Sequence, residues 1–424
     1  MNLLVIGAGY AGLITAICFA NNGNRVYVYD KIKEKLDKLK ASETPFFEEN
    51  LASNLDKAIS SNNLTPVYNL SEGFEKAEII FICVATPCKE NGIDLSQLYS
   101  VCEELAPLIK SSSSRKIIVI RSTVIPGTTI AFTKKLEELS SKKYPQDFGV
   151  IANPEFLRQG DAIQDFLNHN KVIIGSENEE DAKTLKQLYE PLERPIILLS
   201  TKTAEMAKYV NNCLSATKIS FINEMGLIAK EFDVDINEIS QALDLRVGPG
   251  NFPLKAGCGF GGSCLEKDMR ALLAVAHKEN SPSILLESTI SVNDSLPIRM
   301  VNNLENKLGP LERRKIGILG LSFKRGTDDI RNSRSVPIII ELKRRNATIF
   351  AYDPKATEKM KSVFSEISYC ETAQELIDKS EAVVILADWE EFSDLDYRDK
   401  IILDGRNVIP KAKRGKNYEG VCWP

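Results

Sequence analysis

The sequence predicts an α/β protein of two doubly wound sheet domains joined by a helical core with a long central helix. Three observations carry this reading. Short apolar runs alternate with helical stretches up to about residue 200. A long helical pattern then interrupts the alternation, which restarts near residue 315.

The run LLVIG at 3–7 is continuously apolar and bounded by glycine, the signature of a parallel strand buried on both faces. RVYVYD (25–30), EIIFICV (78–84), KIIVIR (116–121) and the segments 148–152 and 171–175 read as further strands, with Ser111–Ser114 as a turn. From Thr203 to about Phe232 apolar residues recur at helical spacing, without proline and with Gly226 as the only glycine. A second helical pattern covers 282–308, and Pro297 inside it predicts a kink or break. KIGILGL (315–321), ATIFAYD (347–353), EAVVILA (381–387) and KIILDGR (400–406) then form a second, smaller sheet. The expected division is a cofactor-binding domain at 1–200, a helical dimerisation core at 201–310 and a second sheet domain at 311–424.

Composition narrows the function. A net charge of −4 over 424 residues, with pI about 5.6, offers no basic face for nucleic acid and no polybasic membrane anchor. The cluster Lys411, Lys413, Arg414 and Lys416 reads as a solvated surface segment. The nine cysteines are odd in number, form no CxxC pair and lie partly inside apolar runs, as buried free thiols of a reducing compartment do. With His169 and His277 as the only histidines, neither a His-based metal centre nor a Ser-His-Asp triad is expected, and no metal is assigned. No run approaches the roughly 18 apolar residues that span a bilayer, and the N-terminal strand lacks a basic leader. A cytoplasmic protein is the expectation.

Gly7-Ala8-Gly9-Tyr10-Ala11-Gly12 follows the first strand and opens a helix. The first glycine permits the turn, the second lets backbone approach a pyrophosphate, and the third lets helix pack on strand. Asp30, ending the next strand, fits a ribose-binding acid that would repel a 2′-phosphate, so NAD is preferred over NADP. Lys35 fits either a further cofactor contact or a surface lysine. This makes the first domain Rossmann-like.

The second informative segment is Gly259-Phe260-Gly261-Gly262-Ser263-Cys264-Leu265-Glu266-Lys267-Asp268. Its glycines allow close approach to a ligand. Helical residues after them would put Cys264 at a helix N-terminus, where the dipole and Lys267 favour a thiolate. Asp268, four residues on, shares the face of Cys264. This suits covalent chemistry on a carbonyl; it equally fits a buried structural cysteine beside a surface Lys–Asp pair.

GFGGSC with its following Lys-Asp, GAGYAG, RSTVIPGT (121–128), NPEFLRQG (153–160), AKYVNN (207–212) and FKRGTDDIR (323–331) together resemble the UDP-glucose 6-dehydrogenase family, in order from residue 1 to about 410. The resemblance implies NAD-dependent, four-electron oxidation of a UDP-sugar alcohol to a carboxylate, in a homodimer. Cys264 would carry a thiohemiacetal and then a thioester. Lys208 would stabilise the oxyanion, with Asn212 beside it, while Asp268 and Thr123 would hold the catalytic water and Glu155 would act as base. Thr86, Thr123, Lys267 and Arg331 would contact NAD. Phe156, Leu157, Phe252, Leu254, Lys255, Phe260, Gly261, Phe323, Lys324 and Arg406 would contact the substrate together with Glu155, Lys208 and Asn212, and Arg246 would reach the partner subunit's site. Two positions depart from the family: Gln159 stands where many relatives carry an acid, and Glu266 puts a negative charge near Cys264 unless its side chain points to solvent. Other readings are the same chemistry on UDP-N-acetylhexosamine or GDP-mannose, a two-electron hydroxyacid dehydrogenase, and a catalytically silent nucleotide-sugar binder.

Overall fold

The computed structural model describes residues 1–89, 92–168, 171–244, 254–397 and 399–424. The chain divides into two compact units, Met1–Asn211 and Asn212–Pro424.

The first unit is built on β1 (Asn2–Ile6), β2 (Arg25–Tyr29), β3 (Leu64–Pro66), β4 (Ile79–Ile82), β5 (Lys116–Ile120), β6 (Phe148–Ala152), β7 (Val172–Gly175) and β8 (Ile196–Leu199). They form one eight-stranded sheet in the order β8-β7-β6-β5-β4-β1-β2-β3. Neighbours run parallel except β6 and β7, which meet antiparallel at Ala152 and Gly175. The run 3-2-1-4-5-6 is the strand order of a Rossmann sheet. Successive side chains of a strand point to opposite faces. Leu3 and Val5 therefore join one apolar cluster while Leu4 and Ile6 join another, and Ile79 and Phe81 part from Ile80 and Ile82 in the same way. Both faces are covered, which is why these strands read as unbroken apolar runs.

The helix Tyr10–Asn21 lies on the first of these faces. Its Phe19 is fully buried, with ring centroids 5.5 Å from Phe81, 5.1 Å from Phe166 and 5.3 Å from Tyr189. A buried polar bolt lies beside it: the Arg121 guanidinium donates to Thr15 Oγ1 (2.8 Å), Asn153 Oδ1 (2.7 Å) and the Tyr189 hydroxyl (3.1 Å).

The long helix Thr201–Lys230, 30 residues, begins and ends two residues earlier than its apolar pattern predicts. In the second unit follow helices Ile236–Asp244, Leu265–Lys278 and Ile284–Leu308. The last runs through Pro297 without the break that its proline could have made; Pro297 is buried, and packing retains the helix across the lost hydrogen bond. The second sheet comprises β9 (Lys315–Leu319), β10 (Thr348–Tyr352), β11 (Ser368–Tyr369), β12 (Ala382–Ile385), β13 (Ile401–Asp404) and β14 (Tyr418–Gly420). It is wholly parallel in the order β11-β10-β9-β12-β13-β14, the Rossmann order again. Here too Ala382 and Val384 join one cluster and Val383 and Ile385 the other. Among the described residues no helix is long and apolar enough to cross a membrane.

Phe19→Ala empties the space between three aromatic rings and is expected to cost the first unit about 3–5 kcal/mol. Urea unfolding followed by circular dichroism reads this as a lower midpoint.

Candidate active site

The first unit places its candidate residues at the C-terminal ends of adjacent parallel strands, the crevice where such sheets hold ligands. The three glycines of the first turn differ in what demands them. Gly7 has φ +104°, and a Cβ there would lie 2.6 Å from the Cys83 carbonyl oxygen. A Cβ on Gly12 would lie 1.9 Å from the Gly7 oxygen, so this glycine sets the contact of helix with turn. A Cβ on Gly9 would meet nothing within 4 Å. The protein itself does not require glycine at that position, but a ligand lying on the main chain would. Gly9 is also the N-cap of the helix, which has neither a side-chain cap nor an acid in its first turn, and its dipole is therefore left for an anion. These features fit a dinucleotide pyrophosphate.

Asp30 accepts from the Ala8 N–H (2.8 Å) and the Ile32 N–H (2.9 Å), and pairs with Lys35 Nζ at 3.0 Å. Lys35 is thus first a partner of Asp30. An open cavity of about 380 Å³ beside them is lined by Tyr29, Asp30, Lys31, Lys33, Leu36, Asp37 and Tyr68. Thr86 Oγ1 donates to the Thr123 carbonyl at 2.7 Å, joining the loops that follow β4 and β5.

After β6, Glu155 lies with Lys208 of the long helix: Nζ and Oε1 are 3.2 Å apart, and the two side chains are only 11% and 4% exposed. Glu155 Oε2 accepts the Leu157 N–H at 2.6 Å. The Phe156 ring lies under the Lys208 ammonium at 5.3 Å and the Lys171 ammonium at 5.0 Å. Burial pushes the Glu155 carboxyl up, but Lys208, the Leu157 amide and Arg121 more than offset it, holding the group below the usual carboxylate range. Gln159 is half-buried.

In the second unit Cys264 is the N-cap of helix Leu265–Lys278 and is half-buried. Burial pushes seven other thiols up: Cys18, Cys83, Cys102, Cys213, Cys258, Cys370 and Cys422. Asp268, one turn into the helix, is buried, accepts from Asn212 Nδ2 at 2.6 Å and pairs with Lys267. Glu266 answers the question its position raises in a way other than exposure to solvent. Its side chain is 17% exposed, pairs with Arg270 at 2.8 Å and faces the buried Arg334 at 3.9 Å. Arg331 is clamped by Asp329 at 2.6 Å, which holds its guanidinium above its usual range, and the Cys264 sulfur adds to that effect.

The glycines before Cys264 serve the protein first. A Cβ on Gly261 would lie 2.4 Å from the Asn332 oxygen, and one on Gly262 2.9 Å from the Phe323 ring. Phe260, read from the sequence as a ligand contact, buries its ring among Cys213, Ala216 and Met269. Its main-chain N–H and carbonyl are both held by Asn293, at 2.8 Å and 3.3 Å. Arg406 donates to the carbonyls of Leu386 (2.9 Å), Gly259 (3.2 Å) and Phe323 (3.0 Å), and so ties three loops together. Leu254 packs on the second core, Lys255 is exposed and Lys324 is half-buried. Arg246 and Phe252 lie outside the described residues. Sequence reasoning gave no role to Glu48, Arg121, Asn293 or Arg334, whose polar partners are distant in the chain. Among the described residues no group of three His, Cys, Asp or Glu side chains is arranged to hold a metal ion.

Two sheets of Rossmann order, the first with a glycine turn open to an anion, mark a dinucleotide-binding protein, and similarity to known proteins makes it a dehydrogenase. The chain belongs to the UDP-glucose/GDP-mannose dehydrogenase family: its residues 1–193 match that family's NAD binding domain, 202–295 its central domain and 317–411 its UDP binding domain. It is 34% identical to the UDP-glucose 6-dehydrogenase AglM of Haloferax volcanii, over 99% of this chain and 100% of that protein. The structure of a UDP-glucose dehydrogenase from Pyrobaculum islandicum is similar with TM-score 0.95 and 35% identity, covering 100% of this chain and 98% of that one. That of a UDP-D-ManNAc dehydrogenase from Pyrococcus horikoshii gives TM-score 0.85 and 28% identity, covering 100% and 99%.

Gly9→Ala is expected to leave the thermal midpoint unchanged while weakening NAD binding about ten-fold or more, because its methyl group meets only the ligand. Gly12→Ala is expected to lower the thermal midpoint as well. Calorimetric titration with NAD and thermal melts of both variants test the distinction.

Proposed function

We propose that this chain oxidises the C6 alcohol of UDP-glucose to the carboxylate, consuming two NAD⁺ and one water. The observation that carries the reading is Cys264, a half-buried thiol at a helix N-terminus with its nearby acids paired to cations, in a chain about one-third identical to UDP-glucose 6-dehydrogenases over its full length. Gly7, Gly9, Tyr10, Ala11, Gly12 and Asp30 hold the dinucleotide, which supplies the hydride acceptor at each oxidation. Cys264 Sγ bonds to C6 of the aldehyde to give a thiohemiacetal, and loss of the second hydride leaves a thioester. Water then attacks, the C–S bond breaks, and the thiolate returns. Lys208 stabilises the oxyanion in a dry site. Glu155, kept ionised by Lys208, takes the proton from water. Asp268, fixed by Asn212 and Lys267, is assigned to orient a water, and the Thr123 hydroxyl is assigned to hold one.

The active form is a homodimer. Met206, Val210, Leu214, Phe221 and Ile228 are exposed large hydrophobics on the long helix, and their spacing by four or seven residues puts them on one side of it. A second copy of this chain would cover such a stripe. Nine free thiols fit a cytoplasmic setting. The same chemistry on another nucleotide sugar is the second reading, favoured by the likeness to the Pyrococcus horikoshii enzyme.

Purified protein should form two NADH per UDP-glucose, with little turnover of UDP-N-acetylglucosamine, UDP-N-acetylmannosamine or GDP-mannose, and Cys264→Ser should form no carboxylate. One NADH per sugar would overturn the thioester scheme, and turnover of another sugar alone would overturn the substrate. The position of the Glu155 carboxyl also fixes a pH dependence. Because it titrates low, it is ionised through the neutral range, and its acid limb in kcat should fall below about pH 4.3, the ordinary glutamate value. Lys208→Met leaves burial unopposed by the ammonium, so the limb of the residual activity should move upward. An unmoved limb in a pH–rate profile would show that Lys208 does not govern Glu155.

A further inference from the structure

Glu48 belongs to none of the motifs, yet its carboxylate is buried between two of them. Its Oε2 accepts from the Tyr10 hydroxyl at 2.7 Å and from the Gly160 N–H at 2.7 Å; its Oε1 accepts from the Ala162 N–H at 2.8 Å. Tyr10 is the first residue of the helix that opens at Gly9, and Gly160 ends the segment that begins Asn153-Pro154-Glu155. The Tyr10 ring is seated on Phe46, centroids 5.3 Å apart, and its hydroxyl lies 3.5 Å from the Arg158 carbonyl oxygen. One buried carboxylate thus joins the dinucleotide turn to the segment that carries Glu155. Amide donors would suffice to satisfy a carboxylate that merely capped a turn; here a phenol from the cofactor loop is added.

We propose that Glu48 is a positioning residue that locks the dinucleotide turn to the Glu155 segment through Tyr10, so that cofactor binding and the placement of the base are set by one contact. Burial and the neighbouring Glu48 carboxylate push the Tyr10 hydroxyl well above its ordinary range, so it stays a donor in this contact at every working pH. Hydrogen bonds to a buried charge are the strong ones, and their loss leaves an acceptor without its donor. The inference rests on the proposed roles of NAD and Glu155.

The test uses the full chain as wild type, Tyr10→Phe, Glu48→Gln and the double variant. Thermal midpoints, NAD affinity by calorimetry, and kcat and KM with UDP-glucose are measured on each. Tyr10→Phe removes one oxygen and should lower the midpoint only modestly, because the Gly160 and Ala162 amides still donate to Glu48, yet weaken NAD and lower kcat, each about ten-fold, with KM for the sugar little changed. The double variant should be no worse than the poorer single one, because both act through one contact. Wild-type kcat and NAD affinity in Tyr10→Phe would overturn the proposal, as would losses that multiply in the double variant. If Glu48→Gln does not fold, Tyr10→Phe decides alone. Wild-type protein that makes no NADH would sink the functional reading, while the calorimetric arm would still decide the contact between Tyr10 and Glu48.

Discussion

The close approach of Gly12 to the Gly7 carbonyl is the constraint on which the cofactor end of the first unit depends. A side chain at position 12 would collide with that oxygen, so glycine brings the helix Tyr10–Asn21 down onto the turn after β1. The helix N-terminus then faces the crevice at the ends of β1 and β4, and Ala8 comes within reach of the Asp30 carboxylate. Phe19, further along the same helix, packs into the aromatic cluster that covers the sheet. Helix position, anion site and core follow from one missing methyl group.

Charge is handled by the same rule in both units: an acid removed from water keeps a cation or a set of donors beside it. Glu155 has Lys208 and the Leu157 amide; Asp268 has Lys267 and Asn212; Glu266 has Arg270 and Arg334. Removing Lys208 from the buried Glu155 pair would cost about 3–5 kcal/mol, because the remaining charge is stranded. The Glu155 pair also holds its carboxylate below the usual range and so keeps it ionised and oriented.

The second unit uses its backbone differently. Arg406 and Asn293 spend their polar groups on main-chain carbonyls and amides around Gly259 and Phe260, and the Phe323 ring closes over Gly262. The segment before Cys264 is thus pinned by contacts from the β13 end, the loop after β9 and helix Ile284–Leu308. A cysteine at the head of a helix gains a fixed direction only when the residues before it are fixed.

By itself the sequence determined the two alternating sheets, the long helix and the glycine turn, and it singled out the cysteine, lysine and acids that the proposed reaction uses. Each of these is written in residues close together in the chain, as a period, a turn or a motif. The short edge strands β3, β8, β11 and β14 escaped it, since two to four residues carry too little pattern, and so did the continuity of Ile284–Leu308 through Pro297. Only the tertiary structure decided that Glu266 faces the buried Arg334, that Phe260 is core, and that Glu48 bridges Tyr10 and Gly160. Those contacts join residues tens of positions apart or more. Their energies depend on burial and distance, which local patterning does not encode and folding alone creates.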